Sequence, residues 1–230
     1  ISEIAPKLIN KIEFVLVEPN IGMKLRQEKV VNGLNGVSYR WSTLEDLASN
    51  PVVGVIIANE VIDALPVERL VFREENVFRQ GVSLKKRNND FYLEFIDMQT
   101  TPAINEFLKD AKSLIKIDFP PNDVCNGWVT EWHCDIPNWF GKLSKILING
   151  SLLVVDYALE ARRYYNKNRK TGTLLSYRNQ EANSNILKDP GYCDLTSHLC
   201  IESTISYAIR HKWRFLGETR QGQGLLALGL

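Results

Sequence analysis

The chain has 230 residues, with 28 Lys and Arg against 27 Asp and Glu, 44% hydrophobic residues and 24% charged ones. That length suits one domain of moderate size, or one with a sizeable insertion, and can bury a core without a disulfide or metal staple. Ordinary globular composition excludes disorder, collagen and coiled coil, a net charge of +1 supplies no general field for nucleic acid or an acidic membrane, and no apolar run reaches the ~20 residues of a membrane span.

Ile1 to Asn10 has neither an initiator Met nor the apolar stretch of a signal peptide. Ile1, Ile4, Ala5, Leu8 and Ile9 follow the spacing of an amphipathic helix already under way. The beginning of the chain reads as removed. A cytoplasmic location is expected, with the mitochondrial matrix as the alternative, because the native N-terminus is not visible.

Glu13 to Glu18 (EFVLVE) is a short apolar run that reads as a buried parallel strand ending at an acid. Ile21 to Val31 is helix-like and Val37 to Trp41 is a second strand. Ser42 and Glu45 stand at capping-box spacing before a brief helix. Pro51 to Ala58 (PVVGVIIA) is a strongly apolar strand running into Asn59 and Glu60. Strands alternating with helices predict a parallel α/β sheet covered on both faces.

The pattern then changes. Val67 to Phe72, Asn76 to Lys85 and Phe91 to Met98 alternate like strands with no helices between them, which predicts a β-meander. A helix is expected over Ala103 to Ile115, followed by a turn at Pro120-Pro121-Asn122-Asp123. Residues 67–123 thus read as a β-rich insertion covering the substrate, on a core made of residues 1–66 and 124–230. The core pattern resumes with a helix over Pro137 to Ile148, stopped by Gly150, and a buried strand Ser151 to Val155 that delivers Asp156 and Tyr157. Ile201 to His211 is predicted helical. Arg214 to Glu218 and Gly224 to Leu230 are predicted as strands of a closing antiparallel hairpin.

Cys125, Cys134, Cys193 and Cys200 lack CxxC spacing. A zinc site could be drawn with His133 and His198, but paired ligands at short fixed spacing are missing, so reduced and mostly buried thiols are expected and no metal is assigned. The basic stretch Arg162, Arg163, Lys167, Arg169 and Lys170 surrounds Tyr164 and Tyr165. Such interleaving can bind RNA, yet the neutral total charge favours a solvated loop, and nucleic acid is not expected as a partner.

In an open parallel sheet, ligands sit beyond the carboxyl ends of the strands. Three strands here end in polar residues: Glu18, then Asn59-Glu60, then Asp156-Tyr157. Helix capping would use the same residue types. An acid closing the second strand of a nucleotide-binding half can accept both ribose hydroxyls of an adenosine, which suits the acceptor-only carboxylate of Glu18.

Asn59-Glu60-Val61-Ile62-Asp63-Ala64-Leu65-Pro66-Val67, Leu153-Val154-Val155-Asp156-Tyr157 and Gly172-Thr173-Leu174-Leu175-Ser176-Tyr177-Arg178 form an ordered series. Pro190-Gly191-Tyr192-Cys193-Asp194-Leu195-Thr196-Ser197-His198 and Gln223-Gly224-Leu225-Leu226-Ala227-Leu228-Gly229 complete it. The series, over nearly the whole chain, resembles the MidA-type methyltransferases: the mitochondrial complex I assembly arginine methyltransferase and its bacterial relatives. The resemblance implies a Rossmann-like class I methyltransferase sheet, with S-adenosylmethionine as cofactor and an arginine-bearing protein as substrate. It implies Glu18 at the ribose, Trp41 and Ser42 near the adenine, and Asn59 and Glu60 along the methionine end. The first strand and glycine-rich loop of that fold have no counterpart in these residues.

A guanidinium is best held by planar carboxylates, which Glu60, Asp63, Asp156 and Asp194 could supply. Glu60 and Asp63 would share one face if their segment were helical. His198 is either a proton acceptor near neutral pH or a fixed hydrogen-bonding residue. Two other classes compete with the methyltransferase: a Rossmann-type oxidoreductase, and a non-catalytic assembly protein with an incomplete cofactor site.

Overall fold

The computed structural model describes residues 6–34 and 36–229. The opening helix expected from Ile1, Ile4 and Ala5 lies outside these residues in that part; α1 (Pro6–Ile9) is helical. The chain divides into two compact units, Ile1–Gly54 with Lys142–Ser151, and Val55–Gly141 with Leu152–Leu230.

The first unit begins as a strand–helix–strand motif. β1 (Glu13–Val17) leads into α2 (Ile21–Val31), whose Asn20 cap accepts a hydrogen bond from the backbone N–H of Met23. β2 (Ser38–Ser42) returns parallel to β1, with Leu16 opposite Trp41 and Val17 opposite Ser42. α3 (Leu44–Ser49) is capped by Thr43, whose hydroxyl accepts from the Asp46 N–H. The cap therefore sits one residue beyond the expected Ser42. Thr43 is extended, with ψ 162°, as the capping geometry requires.

β3 (Val52–Asn59) runs into the second unit, where the meander follows. β4 (Glu68–Arg73), β5 (Asn76–Arg87) and β6 (Asp90–Met98) pair in antiparallel succession. α4 (Pro102–Ile115), capped by Thr101, comes next. β7 (Trp128–Trp132) then pairs antiparallel with β4, giving the sheet order β6-β5-β4-β7. This sheet is no thin flap. Leu70, Val71, Phe72, Trp128 and Val129 of the sheet are buried, as are Ile104, Phe107, Ala111, Leu114 and Ile115 of α4. Phe107 stacks on Trp132 at 4.9 Å, an apolar contact that binds helix to sheet.

α5 (Ile136–Ile146) is followed without a break by β8 (Leu147–Val155), which pairs with β3. Gly150, expected to stop the helix, is instead a strand residue with φ +143°. A Cβ there would run into the carbonyl oxygen of Gly54 on β3. The glycine answers to the close approach of two backbones, which local spacing does not reveal. The strands read as fully buried are also partly bare: Val53, Val55 and Ile57 of β3 are exposed. An apolar run becomes a buried strand only when neighbours cover both its faces, and among the described residues β3 and β8 form a sheet of two.

The remainder is built of short pieces: β9 (Ala158–Leu159), α6 (Ala161–Tyr164), β10 (Leu175–Arg178), β11 (Glu181–Asn183), β12 (Asp194–Thr196) and β13 (Leu199–Cys200). β10 pairs antiparallel with β11 and β12, and β13 pairs parallel with β9. α7 (Ile201–Arg210) packs on α4, where Ser206 donates to the Leu114 carbonyl and Arg210 pairs with Asp110 at 2.5 Å. The closing hairpin does not form. Residues 213–220 carry no strand pairing, and α8 (Gln221–Ala227) is a helix. Gln221 to Ala227 contains no β-branched residue, and Leu and Ala favour helix once no strand edge takes up their backbone groups.

Of the cysteines, Cys200 is buried, Cys134 and Cys193 are half-buried and Cys125 is exposed, so the thiols are less buried than expected. Among the described residues no group of three or more His, Cys, Asp or Glu is arranged to hold a metal. No helix among them is long and apolar enough to cross a membrane.

Candidate functional site

In the first unit, Glu18 follows β1 directly and Trp41 and Ser42 end the adjacent parallel β2, so all three lie at the same strand ends. Glu18 Oε1 accepts the N–H of Asn20 at 2.8 Å and Oε2 accepts Gln27 Nε2 at 3.2 Å. Gln27 in turn accepts the indole N–H of Trp41 at 3.0 Å. This single amide on α2 ties the acid to the aromatic, a role sequence reasoning missed. The nine-residue separation of Glu18 and Gln27 is no recognised signal, since the helix must fold back over the strand to create the contact. Each oxygen of Glu18 retains acceptor capacity, and the group is half-buried. The residues present thus fit a ribose-binding acid beside an aromatic wall.

In the second unit, β3 and β8 deliver Glu60 and Asp156, joined by a 2.8 Å hydrogen bond from the Glu60 N–H to the Val155 carbonyl. Glu60 has φ +50°, a left-handed conformation uncommon for a residue with a Cβ. The segment after it is a turn, not a helix, with the Leu65 N–H donating to Ile62 O at 3.1 Å. Asp156 organises that turn. Its Oδ2 accepts the N–H groups of Ile62 and Asp63 at 3.0 and 3.2 Å, and Oδ1 accepts that of Tyr157 at 2.8 Å. Glu60 and Asp63 therefore stand on a capped turn, and the condition under which they would share a helix face is not met.

Asp63 is 5% exposed, and its Oδ1 has no hydrogen-bond partner among the described residues. Burial, reinforced by the charges of Asp156 and Glu60, pushes its carboxyl up to about 6. Burial also raises Asp156. Tyr157 is raised chiefly by the charge of the neighbouring Glu60 carboxylate. His198 lies against Tyr157 with ring centres 6.1 Å apart, and burial lowers its pKa. Asp194 is more remote: exposed, at the start of β12 and opposite Tyr177 in register. Tyr177 is close enough to Tyr157 to add to its shift. Asn59 is exposed at the end of β3.

Two further residues support this cluster and carry no sequence signal for that role. Ser197 N–H donates to the Asp63 carbonyl at 3.0 Å, and its hydroxyl is bonded to His133 Nε2 at 2.8 Å. His133 is buried and lowered to about 4 by that burial, so it is neutral at pH 7. Arg178 pairs with Asp189 at 3.0 Å, away from the cluster acids.

These shifts have opposite signs in stability. The folded protein holds the Asp63 proton more tightly than the unfolded chain, so this group's contribution falls as pH rises from 3.8 to about 6. Folded His133 binds its proton less tightly, so its contribution rises between about 4 and 6.5. Asp63→Asn removes the first effect alone. Its unfolding free energy, relative to the parent, should climb by about 2–3 kcal/mol between pH 4 and pH 7. Urea unfolding across that range would show it, and a pH-independent difference would refute the buried-acid assignment.

The chain matches, over residues 1–219, the family described as "Putative S-adenosyl-L-methionine-dependent methyltransferase". Two solved structures share its fold. A protein from Burkholderia thailandensis described as uncharacterized is 24% identical with a TM-score of 0.77, covering 93% of this chain and 54% of its own. Another from the same organism, described as a "likely methyl transferase" bound to S-adenosyl-homocysteine, is 24% identical with a TM-score of 0.79, covering 94% and 53%. The present chain thus spans about half the length of each. Among curated proteins, none matches. With an α/β strand–helix–strand motif, acids at its strand ends and a family match over nearly its full length, the chain belongs to the S-adenosyl-L-methionine-dependent methyltransferase family so described, and S-adenosyl-L-methionine is the cofactor of that family.

Proposed function

We propose that this chain serves a methyltransferase that modifies arginine on a protein partner, of the kind that assists assembly of respiratory complexes. The observation that carries the reading is the buried Asp63 carboxylate, with one oxygen unpartnered, beside Glu60 and Asp156. A buried acceptor without a donor is costly, and a planar guanidinium supplies donors and charge together.

Glu60 and Asp63 hold the guanidinium in this reading, and Asp156, whose oxygens are occupied by backbone N–H groups, is the positioning residue for their turn. When bound, the cofactor supplies a sulfonium methyl group open to in-line attack by nitrogen. As the nitrogen gains its methyl it gives up a proton, and Asp63 Oδ1, poised near 6, can accept one. Tyr157 orients Glu60, and Asp194 and His198 flank the acceptor side. In the first unit Glu18 accepts the ribose hydroxyls, with Trp41 and Ser42 beside the adenine; Asn59 and Glu60 contact the methionine end.

The test pairs binding with transfer. Native-length protein should bind S-adenosylmethionine by calorimetry, and Glu18→Ala should weaken binding by roughly 1.5–3 kcal/mol, the scale of charged hydrogen bonds. Mass spectrometry should find methyl groups on arginine of a protein acceptor. Binding without transfer to arginine would move the substrate class. No binding at all would favour a non-catalytic assembly protein.

A further inference from the structure

A second site of opposite sign lies in the same unit as the carboxylate cluster. The end of α4 and the segment after α6 together line a cavity of about 460 Å³. Lys112 and Lys116 come from one side, and Arg162 and Lys167 from the other. Lys112 is tied to Asp118 at 2.6 Å, and Lys167 reaches Asp123 at 3.7 Å. Among the described residues, Lys116 and Arg162 have no ion-pair partner, and both are exposed. Four cations from segments about fifty residues apart thus meet two acids, Asp118, which itself lines the cavity, and Asp123, so the patch keeps a positive excess carried by Lys116 and Arg162, which an acidic ligand would offset.

The wall is anchored rather than loose. Tyr164 and Tyr165 are buried beneath it, the Trp128 indole donates to Asn166 O at 3.1 Å, and Glu202 accepts the Ala161 N–H at 2.7 Å. Tyr165 lines the cavity but is only 3% exposed, and Tyr164 is 1% exposed, so neither presents an open ring on which a nucleobase could stack, and the RNA reading of the basic stretch is weakened. A compact phosphate is poorly served too. The cavity's cations are mostly flexible lysines spread over two segments, with a single Arg162 to offer the planar fork that a phosphate prefers. Ile117 and Pro121 add an apolar shelf. Several spread charges and an apolar shelf suit an extended Asp/Glu-rich chain.

We propose that this pocket docks an acidic segment of the protein whose arginine enters the carboxylate cluster. The inference rests on the acceptor being a protein. Arg162 follows Asp156 by six positions, so at ~3.5 Å per residue the two lie within about 21 Å, a reach that one extended substrate segment can bridge.

The assay is fluorescence anisotropy of a labelled, Asp/Glu-alternating peptide on the full chain, with no cofactor and no transfer step. Its failure is thus separate from failure of the methyltransferase reading. The acidic peptide should bind at least ~10-fold tighter than its Asn/Gln counterpart at low salt and weaken as salt screens it. Lys116→Glu with Arg162→Glu should abolish that preference, while Arg162→Lys retains it, with unfolding temperature confirming that each variant folds. Equal affinity for the two peptides, or a preference untouched by the charge reversal, would overturn the proposal. Stronger competition by pyrophosphate or an RNA oligonucleotide than by free acidic peptide would also overturn it, in favour of a phosphate-bearing ligand.

Discussion

Glu60→Gln should lower methyl transfer at least ~100-fold, the scale of losing one positioned polar group at a reacting centre, a loss larger than any it causes in cofactor affinity at the methionine end. The substitution keeps the shape of the side chain and removes only the charge. Gln also meets the φ of +50° on the same terms as Glu, so the backbone has no new reason to move. Asp156→Asn should behave differently. Its carboxylate accepts three backbone N–H groups, and an amide would turn a donor toward one of them. That variant should lose stability together with turnover. Transfer rates and calorimetric affinities on one preparation separate the cases. Full activity in Glu60→Gln would sink the carboxylate role.

The largest stability loss is expected at Glu131→Ala, about 3–5 kcal/mol by urea unfolding. Glu131 is 0% exposed on β7. It faces Arg69 Nε at 3.4 Å and accepts the Thr173 N–H at 2.8 Å and hydroxyl at 3.2 Å. Gly172 has φ +76°, and a Cβ there would collide with the Glu131 carboxylate, so this loop is moulded around the buried charge. Removing the acid strands a mostly buried guanidinium and an unpaired N–H. Arg69 keeps its bonds to Gln80 Oε1 at 2.6 Å and Thr171 O at 2.9 Å, which places the cost toward the lower end. Arg69→Met combined with Glu131→Leu should be less damaging than Glu131→Ala alone, because an apolar pair leaves no charge behind. A double variant as unstable as the sum of its single ones would show that the two residues act independently.

The strand–helix–strand start, the three meander strands and the helices over 102–115 and 201–210 were legible because each is governed by local periodicity. The acids at strand ends were legible for the same reason: an apolar run followed by Glu18, Glu60 or Asp156 marks where a strand leaves its sheet. Gly150 and the closing hairpin were misread. A glycine after a helical pattern looks like a cap unless the opposing Gly54 backbone is known, and a Leu-rich tail takes whichever form its neighbours allow. β7 lies in the segment read as part of the core, yet its partner is β4, some sixty residues earlier. Pairing over that distance leaves no mark on local pattern.

By itself the sequence determined the longer strands and helices up to residue 210, which polar residues end the strands, and the family, since motif order survives without coordinates. The tertiary structure alone decided what those residues do to one another. Glu60 and Asp63 meet because Asp156 caps their turn, Asp63 is perturbed because its surroundings bury it, and Gln27 links Glu18 to Trp41 because α2 folds back over β1. Burial, charge coupling and hydrogen-bond saturation depend on distances between residues remote in the chain, and spacing along the chain encodes none of those distances.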